Sequence, residues 1–266
     1  MSIELKNQKE VEAIGVSCQM AAETLLLVGE QLRAGMTTND IDKIVHDDTL
    51  RRGGYPSPLN YKGFPKSVCT SVNEVVCHGI PGARVLKNGD IINVDVTTLF
   101  KGFHGDTSAT FYVGQPSASG RRVTEIARKA LELGIKEVRD GARFGDIGAA
   151  IQEYVEGQGC GVVRDFVGHG IGRKFHEPPQ VKHYGKRGTG DRMRTGMVFT
   201  IEPMVNEGSF EVHVDPKDKW TVTTADGSLS AQFEHTVAVT KDGCIVLTER
   251  TRPLKFSENV AAVFAV

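Results

Sequence analysis

The chain writes one acid-terminated pattern twice, once with aspartate and once with glutamate. Residues 87 to 95 read KNGDIINVD and residues 194 to 202 read RTGMVFTIE, each a basic residue and a glycine followed by an apolar run that closes on an acid. Asp95 and Glu202 are therefore counterparts. A lone carboxylate on a buried strand is strongly disfavoured unless something positive compensates it. The second acids match as well, since Asp106 opens DTSATFYV and Glu234 opens EHTVAVT. Two strand pairs, each with two carboxylates, point to a shared two-metal site.

The duplication reaches upstream, where RAGMTTNDI (33 to 41) aligns without gaps to RDGARFGDI (139 to 147). A long helix is expected before each copy. In the first, Val11, Ile14, Cys18, Ala21, Leu25, Val28 and Leu32 fall on one helical face, and in the second Val123, Ile126, Ala130 and Val138 form a weaker stripe. Only two copies exist, so the unit is a duplicated α/β half and not a stacked array. The reading is one domain over residues 1 to 266, with pseudo-repeat halves at about 7–113 and 117–248. The most loop-like stretches are Gly53 to Pro65, Glu177 to Thr195 and Asn206 to Lys219.

A hydrophobic content of 39% is enough for a substantial core, and a formal net charge of −1 gives no basic field for nucleic acid. Local clusters at Arg121, Arg122, Lys186 and Arg187 read as solvated surface. The opening MSIELKNQKE has no apolar leader, and no unbroken apolar run would span a bilayer. A soluble cytoplasmic protein is expected. The five cysteines (Cys18, Cys69, Cys77, Cys160 and Cys244) never fall as C-x-x-C, so reduced thiols are expected in place of disulfides or a zinc knuckle.

The histidines supply nitrogen. VGHGIGRKFHE sets His169 between glycines with His176 seven residues on, and CHGIPG places His78 in the first half. Each has an ordinary reading as a turn residue, and each acid an ordinary reading as a strand end. Four acids in two matching frames do not, and imidazole is a common partner for the cations they require.

The segments KSVCTSVNEVVCHGIP, GDIINVDVT, FHGDTSATF, VGHGIGRKFHEPPQV, GMVFTIEPM and SAQFEHTVAVT together resemble the type I methionine aminopeptidases of the bacterial form, over nearly the whole chain to about Thr248. The resemblance implies the pita-bread fold, a curved antiparallel sheet with outer helices and pseudo-twofold halves. It implies removal of the initiator methionine from new proteins with a small second residue, by a two-metal-activated hydroxide attacking the first peptide bond. The implied metal ligands are Asp95, Asp106, His169, Glu202 and Glu234, with Asp95 favouring one metal, His169 and Glu202 the other, and Asp106 and Glu234 bridging. Glu202 would also accept a proton, His176 donate to the developing oxyanion, and His78 contact the nitrogen of the cleaved bond.

The implied methionine pocket is Tyr61, Phe64, Cys69, Phe175 and Trp220, a narrow aromatic slot suited to an unbranched thioether. Phe64 stands where the commonest enterobacterial pattern has tyrosine, and Pro58 where cysteine occurs. The resemblance also implies two divalent ions drawn from Co, Mn, Fe, Ni or Zn, and one Na or K ion on backbone carbonyls at Asn73, Val75 and Ser230. Its partners would be nascent N-termini beginning with Met, with transient ribosome association, no specific nucleic acid, no membrane and a monomeric state. His183 and His213 lie outside the implied machinery and are expected to be dispensable. The chain's own Met1 and Ser2 fit the substrate rule.

Spacing between His169 and Glu202 leaves no room for the insertion of type II enzymes, and the chain lacks both a cysteine-rich extension and the extra amino-terminal domain of prolidase-like relatives. Two readings from other classes are a catalytically dead peptide-binding module, disfavoured by retention of all five ligands, and a two-metal phosphatase. The phosphatase would need cationic clamps, for which only Arg173 and Lys174 are near, and no P-loop is present.

Overall fold

A computed structural model describes residues 3–250, so Met1 and Ser2 lie outside the described residues. The first stripe forms helix α1 (Gln8–Gln31), which opens on a capping box in which Asn7 accepts from the Glu10 amide and Glu10 from the Asn7 amide. Ile14, Cys18, Ala21, Leu25 and Val28 are fully buried along it. Each large apolar side chain so covered contributes roughly 1.5–3 kcal/mol. By length and composition α1 is apolar enough to cross a bilayer, but its apolar face is part of the core. It lies against the long hairpin Ile91–Phe100/Phe103–Tyr112. Gly105 permits the close approach, because a Cβ there would sit 2.2 Å from the Cys18 nitrogen.

The duplicated upstream segments take matching local structures. Helix α2 (Thr38–Arg51) follows Thr37, whose amide donates to Asp40, and Thr37 forms an isolated bridge to Val85. After α3 (Ala118–Lys136), helix α4 (Phe144–Gly157) follows Arg143, whose amide donates to Asp146, and Arg143 bridges to Arg192. Asp40 and Asp146 are aligned residues of the repeat. So are Gly35 and Gly141, both in the left-handed region at φ 88° and 82°. Val138 is buried but lies past the end of α3, because the helix caps at Glu137; its place on the predicted stripe is corrected.

Both halves contribute to one nine-stranded antiparallel sheet. Its order runs Tyr55–Pro56, Ile91–Phe100, Phe103–Tyr112, Glu234–Val239, Val198–Ile201, Gly168–Gly170 and Glu177–Val181. Cys69–Val72 adds to Ile91–Phe100, and Cys244–Val246 to Glu234–Val239. Two three-stranded sheets complete the scaffold, Gly161–Val162 with Met204–Asn206 and Ser230–Gln232, and Val75–Cys77 with Val222–Thr224 and Val212–Val214. Four sequence expectations need correction. Asp95 sits inside its strand, not at its end, and the strand holding Asp106 begins earlier, at Phe103. Glu177–Val181 is a strand where a loop was expected, because it lies last in the sheet order and tolerates Pro178 and Pro179 on an edge. Val212–Val214 is likewise a short strand.

Candidate metal centre and active-site pocket

Strand register assembles the acids. Asp95 pairs with Ser108, Asp106 with Thr97, and Glu234 with the same Ser108 from the other side. Cross-strand partners share a face, so Asp95, Asp106 and Glu234 project from one side of three adjacent strands. Glu202 directly follows the neighbouring strand Val198–Ile201. Asp106 and Glu234 are almost wholly buried. Desolvation, followed by repulsion from Asp95 at Asp106 and from Asp106 at Glu234, pushes both carboxyls well above their ordinary range. Burial raises Asp95 and Glu202 too.

His169 completes the cluster. Its Nδ1 lies 3.0 Å from the Gly170 carbonyl and, as a donor there, leaves the Nε2 lone pair facing the acids. Nε2 is 3.7 Å from an oxygen of Asp106 and 3.7 Å from one of Glu202. Burial drives its pKa down to about 4, so the ring is neutral and these contacts are not ion pairs. Ligand atoms of Asp106, His169 and Glu234 all lie within 4.8 Å of one another. Asp95 Oδ1 is buried with no hydrogen-bond partner. Four carboxylates that resist ionisation together, an orphaned oxygen and an aimed imidazole fit divalent cations.

Side chains that sequence reading missed hold this set in place. The Thr97 hydroxyl donates to Asp106 at 2.7 Å and the Thr200 hydroxyl to Glu202 at 2.7 Å, while Gln232 Nε2 reaches the other Glu202 oxygen at 3.3 Å. All three lie within two residues of a metal-ligand candidate on the same strand or beside it, and VDVTT, FTIE and SAQFE carry that signal. Arg250 Nη2 donates to Thr107 Oγ1 and to the Ser108 carbonyl, behind Glu234. The structure gives His183 a contact that sequence reading did not foresee. It is fully buried, and its Nε2 accepts the backbone N–H of Glu202 at 3.1 Å, so it helps place a candidate ligand. His213 is exposed, as a dispensable residue would be.

The cluster floors a cavity of about 340 Å³ walled by Tyr61, Phe64, Cys69, Phe175 and Trp220, with Pro58 and Cys77 also on its lining. Phe64 stands edge-on to Trp220 at 5.3 Å, and Tyr61 packs on Phe175 at 4.9 Å. His176 is stacked on Tyr61 at 5.2 Å, with its centroid 4.1 Å from that of His169. His78, at φ 55°, stands edge-on to Phe166 and Trp220. Burial lowers both histidines, His78 to about 4 and His176 to about 2, and His169 adds to the effect on His176. His104, stacked on Phe175 and 2.8 Å from the Ser57 hydroxyl, backs the wall and was not foreseen. Away from the cavity, the Ser230 amide donates to the Asn73 carbonyl at 2.8 Å, and Val75 begins the adjacent strand. All five cysteines are free.

Comparison with known proteins agrees with this geometry. The model of metallopeptidase family M24 matches residues 12–241. The methionine aminopeptidase A of Synechocystis is 52% identical over 248 residues, covering 93% of this chain and 98% of that protein. The Escherichia coli K12 methionine aminopeptidase is 49% identical over 252 residues, covering 94% and 95%. The crystal structure of the Rickettsia prowazekii methionine aminopeptidase superposes with a TM-score of 0.92 at 47% identity, covering 93% of this chain and all of that one. A Pyrococcus horikoshii prolidase shares the pita-bread fold alone, with a TM-score of 0.73 at 20% identity over 94% of this chain and 65% of that one. The chain thus belongs to metallopeptidase family M24, where it sides with the methionine aminopeptidases.

Proposed function

We propose that this chain removes the initiator methionine from nascent proteins whose second residue is small, with two divalent ions held by Asp95, Asp106, His169, Glu202 and Glu234. The observation that carries the reading is the orphaned Asp95 oxygen among four clustered acids, two of them almost wholly buried, beneath an aromatic slot. Such ions, when bound, supply Lewis acidity that makes water nucleophilic at neutral pH. Asp106 and Glu234 lie on neighbouring strands between Asp95 and Glu202 and would be the ligands shared by the two ions. Glu202, with one oxygen held by Thr200, takes the proton of the attacking water.

The walls bind and orient. Tyr61, Phe64, Cys69, Phe175 and Trp220 receive the thioether and exclude water from the first side chain. His176, fixed between Tyr61 and His169, donates to the carbonyl oxygen as charge develops there. His78 reaches the nitrogen of the cleaved bond and assists its departure. Backbone carbonyls at Asn73, Val75 and Ser230 would hold one Na or K ion. This reading gives a cytoplasmic monomer that meets nascent chains at the ribosome.

The test is cleavage of Met-Ala, Met-Ser and Met-Leu peptides by protein supplied with manganese, iron or cobalt. Release of methionine from the first two, loss of it with a chelator and poor cleavage of Met-Leu are expected. Intact Met-Ala peptide under every metal would sink the reading.

A further inference from the structure

Two charged side chains at the cavity lining have no part in the proposed chemistry. Lys62 and Asp165 both line the cavity and both are exposed. Among the described residues neither has an opposite charge within ion-pair distance, although the adjoining Arg164 pairs with Glu156. Lys62 sits in the turn Tyr61–Gly63, with its ammonium 5.2 Å from the centroid of Tyr61, the ring that stacks on His176. Asp165 directly precedes Phe166, whose ring stands edge-on to His78 at 5.3 Å. One free cation thus stands on the His176 side of the cavity and one free anion on the His78 side.

The backbone holds Lys62 there at a conformational cost. Asn60 and Lys62 both lie in the left-handed region, at φ 65° and 48°, where side chains are disfavoured. The turn is nevertheless closed by the Asn60 amide on the Phe64 carbonyl at 2.8 Å and the Phe64 amide on the Tyr61 carbonyl at 2.9 Å. Strain retained at a pocket rim marks a place where position matters.

We propose that Lys62 and Asp165 read the charge of the substrate beyond its small second residue, Lys62 favouring acidic and Asp165 favouring basic side chains. This rests on the aminopeptidase reading, which buries the first residue in the slot and leaves the chain to leave across the rim. A small second residue cannot reach either charge. The third residue is the first long enough to do so. Because both groups are exposed and screened, the preference is modest and falls with ionic strength.

The experiment compares Met-Ala-Glu and Met-Ala-Lys peptides of otherwise equal sequence, using manganese-loaded protein. The readout is the ratio of their kcat/KM values, which cancels any loss of active protein in a variant. Lys62→Glu is expected to lower the acidic-to-basic ratio by roughly three- to tenfold, and Asp165→Lys to raise it by a similar factor. Both shifts shrink in half-molar salt. Fluorescence of Trp220, the sole tryptophan, reports equilibrium binding of the same peptides made with a reduced first bond, and affinities should move in the same sense. Ratios unchanged within twofold in both variants, or moved in the same direction by both, overturn the rim assignment while Met-Ala turnover still stands. Absence of both binding and turnover for every peptide overturns the aminopeptidase reading, and the rim assignment with it.

Discussion

The floor of the cavity and its rim are built by different means. Asp95, Asp106 and Glu234 are placed by antiparallel register, so their spacing follows from the ten-residue pairing of Ile91–Phe100 with Phe103–Tyr112 and from the pairing of Glu234 and His235 with Ser108 and Thr107. The rim residues His78, Asn60 and Lys62 sit on positive-φ backbone, and Asp165 at a bend, where no ladder fixes them. A sheet holds like charges together that would otherwise separate. A strained turn offers less force but more freedom to vary from one chain to another. The floor therefore suits a shared chemistry and the rim suits selection among substrates.

If that division is right, substitutions at the floor fail through metal and those at the rim fail through rate or selectivity. Asp106→Ala or Glu234→Ala should reduce methionine release to background and lower the metal content of purified protein. Normal activity with intact metal in either variant would break the two-ion model. His78→Ala and His176→Ala should keep their metal yet lose roughly a hundredfold or more in kcat, the loss typical of a missing transition-state donor or proton-transfer partner. His169→Ala should instead weaken metal binding. Calorimetric metal titration beside steady-state kinetics separates these, and a metal-free His176 variant would withdraw its oxyanion role.

His183 sharpens the boundary, since it lies beneath the floor without belonging to it. Replacing it by alanine strands the Glu202 amide in a buried setting, a cost of roughly 1–3 kcal/mol before any cavity is counted. A lowered Tm with reduced metal affinity is expected. A variant as stable and as metal-rich as the parent would return His183 to the dispensable class.

The smallest effect concerns an acid outside the cavity. Burial alone would raise Asp48, but Arg52, Arg51 and the Thr24 hydroxyl outweigh it and hold the carboxyl below its usual range. A depressed folded pKa adds stability that is complete above the unfolded value near about 3.9 and is lost as pH falls through the folded one. Asp48→Asn should thus be less stable than the parent at neutral pH, with the gap closing below roughly pH 4. Denaturant titrations across pH 3 to 7 check this, and a constant gap would refute the pairing.

Much of the floor was legible in the sequence because duplication repeats a constraint. Asp95 with Glu202, and Asp106 with Glu234, stand in matched frames, and a carboxylate in an apolar run reports a compensating charge. What periodicity could not supply was position along the strand. Asp95 in INVDVTTLF reads as a terminus because threonines follow it, yet Thr97 and Thr98 are buried strand residues, and Thr97 satisfies Asp106. His183 was missed because its role is to accept one backbone amide 19 residues away, which leaves no spacing pattern. The walls were not legible from the residues alone, since Tyr61, Phe64 and Phe175 read as ordinary core; the family resemblance supplied them. Glu177–Val181 shows the opposite failure, where two prolines signalled a loop and an edge position accommodated them.

The central claim is that the five floor residues hold two ions in order to cleave. Its most direct test is calorimetric titration of metal-free protein with manganese or cobalt, each step sampled for methionine release from a Met-Ala-Ser peptide. The account predicts uptake approaching two ions per chain, removed by Asp106→Ala, with activity appearing only as metal binds. Full activity without metal, or metal uptake unchanged by Asp106→Ala, would contradict it.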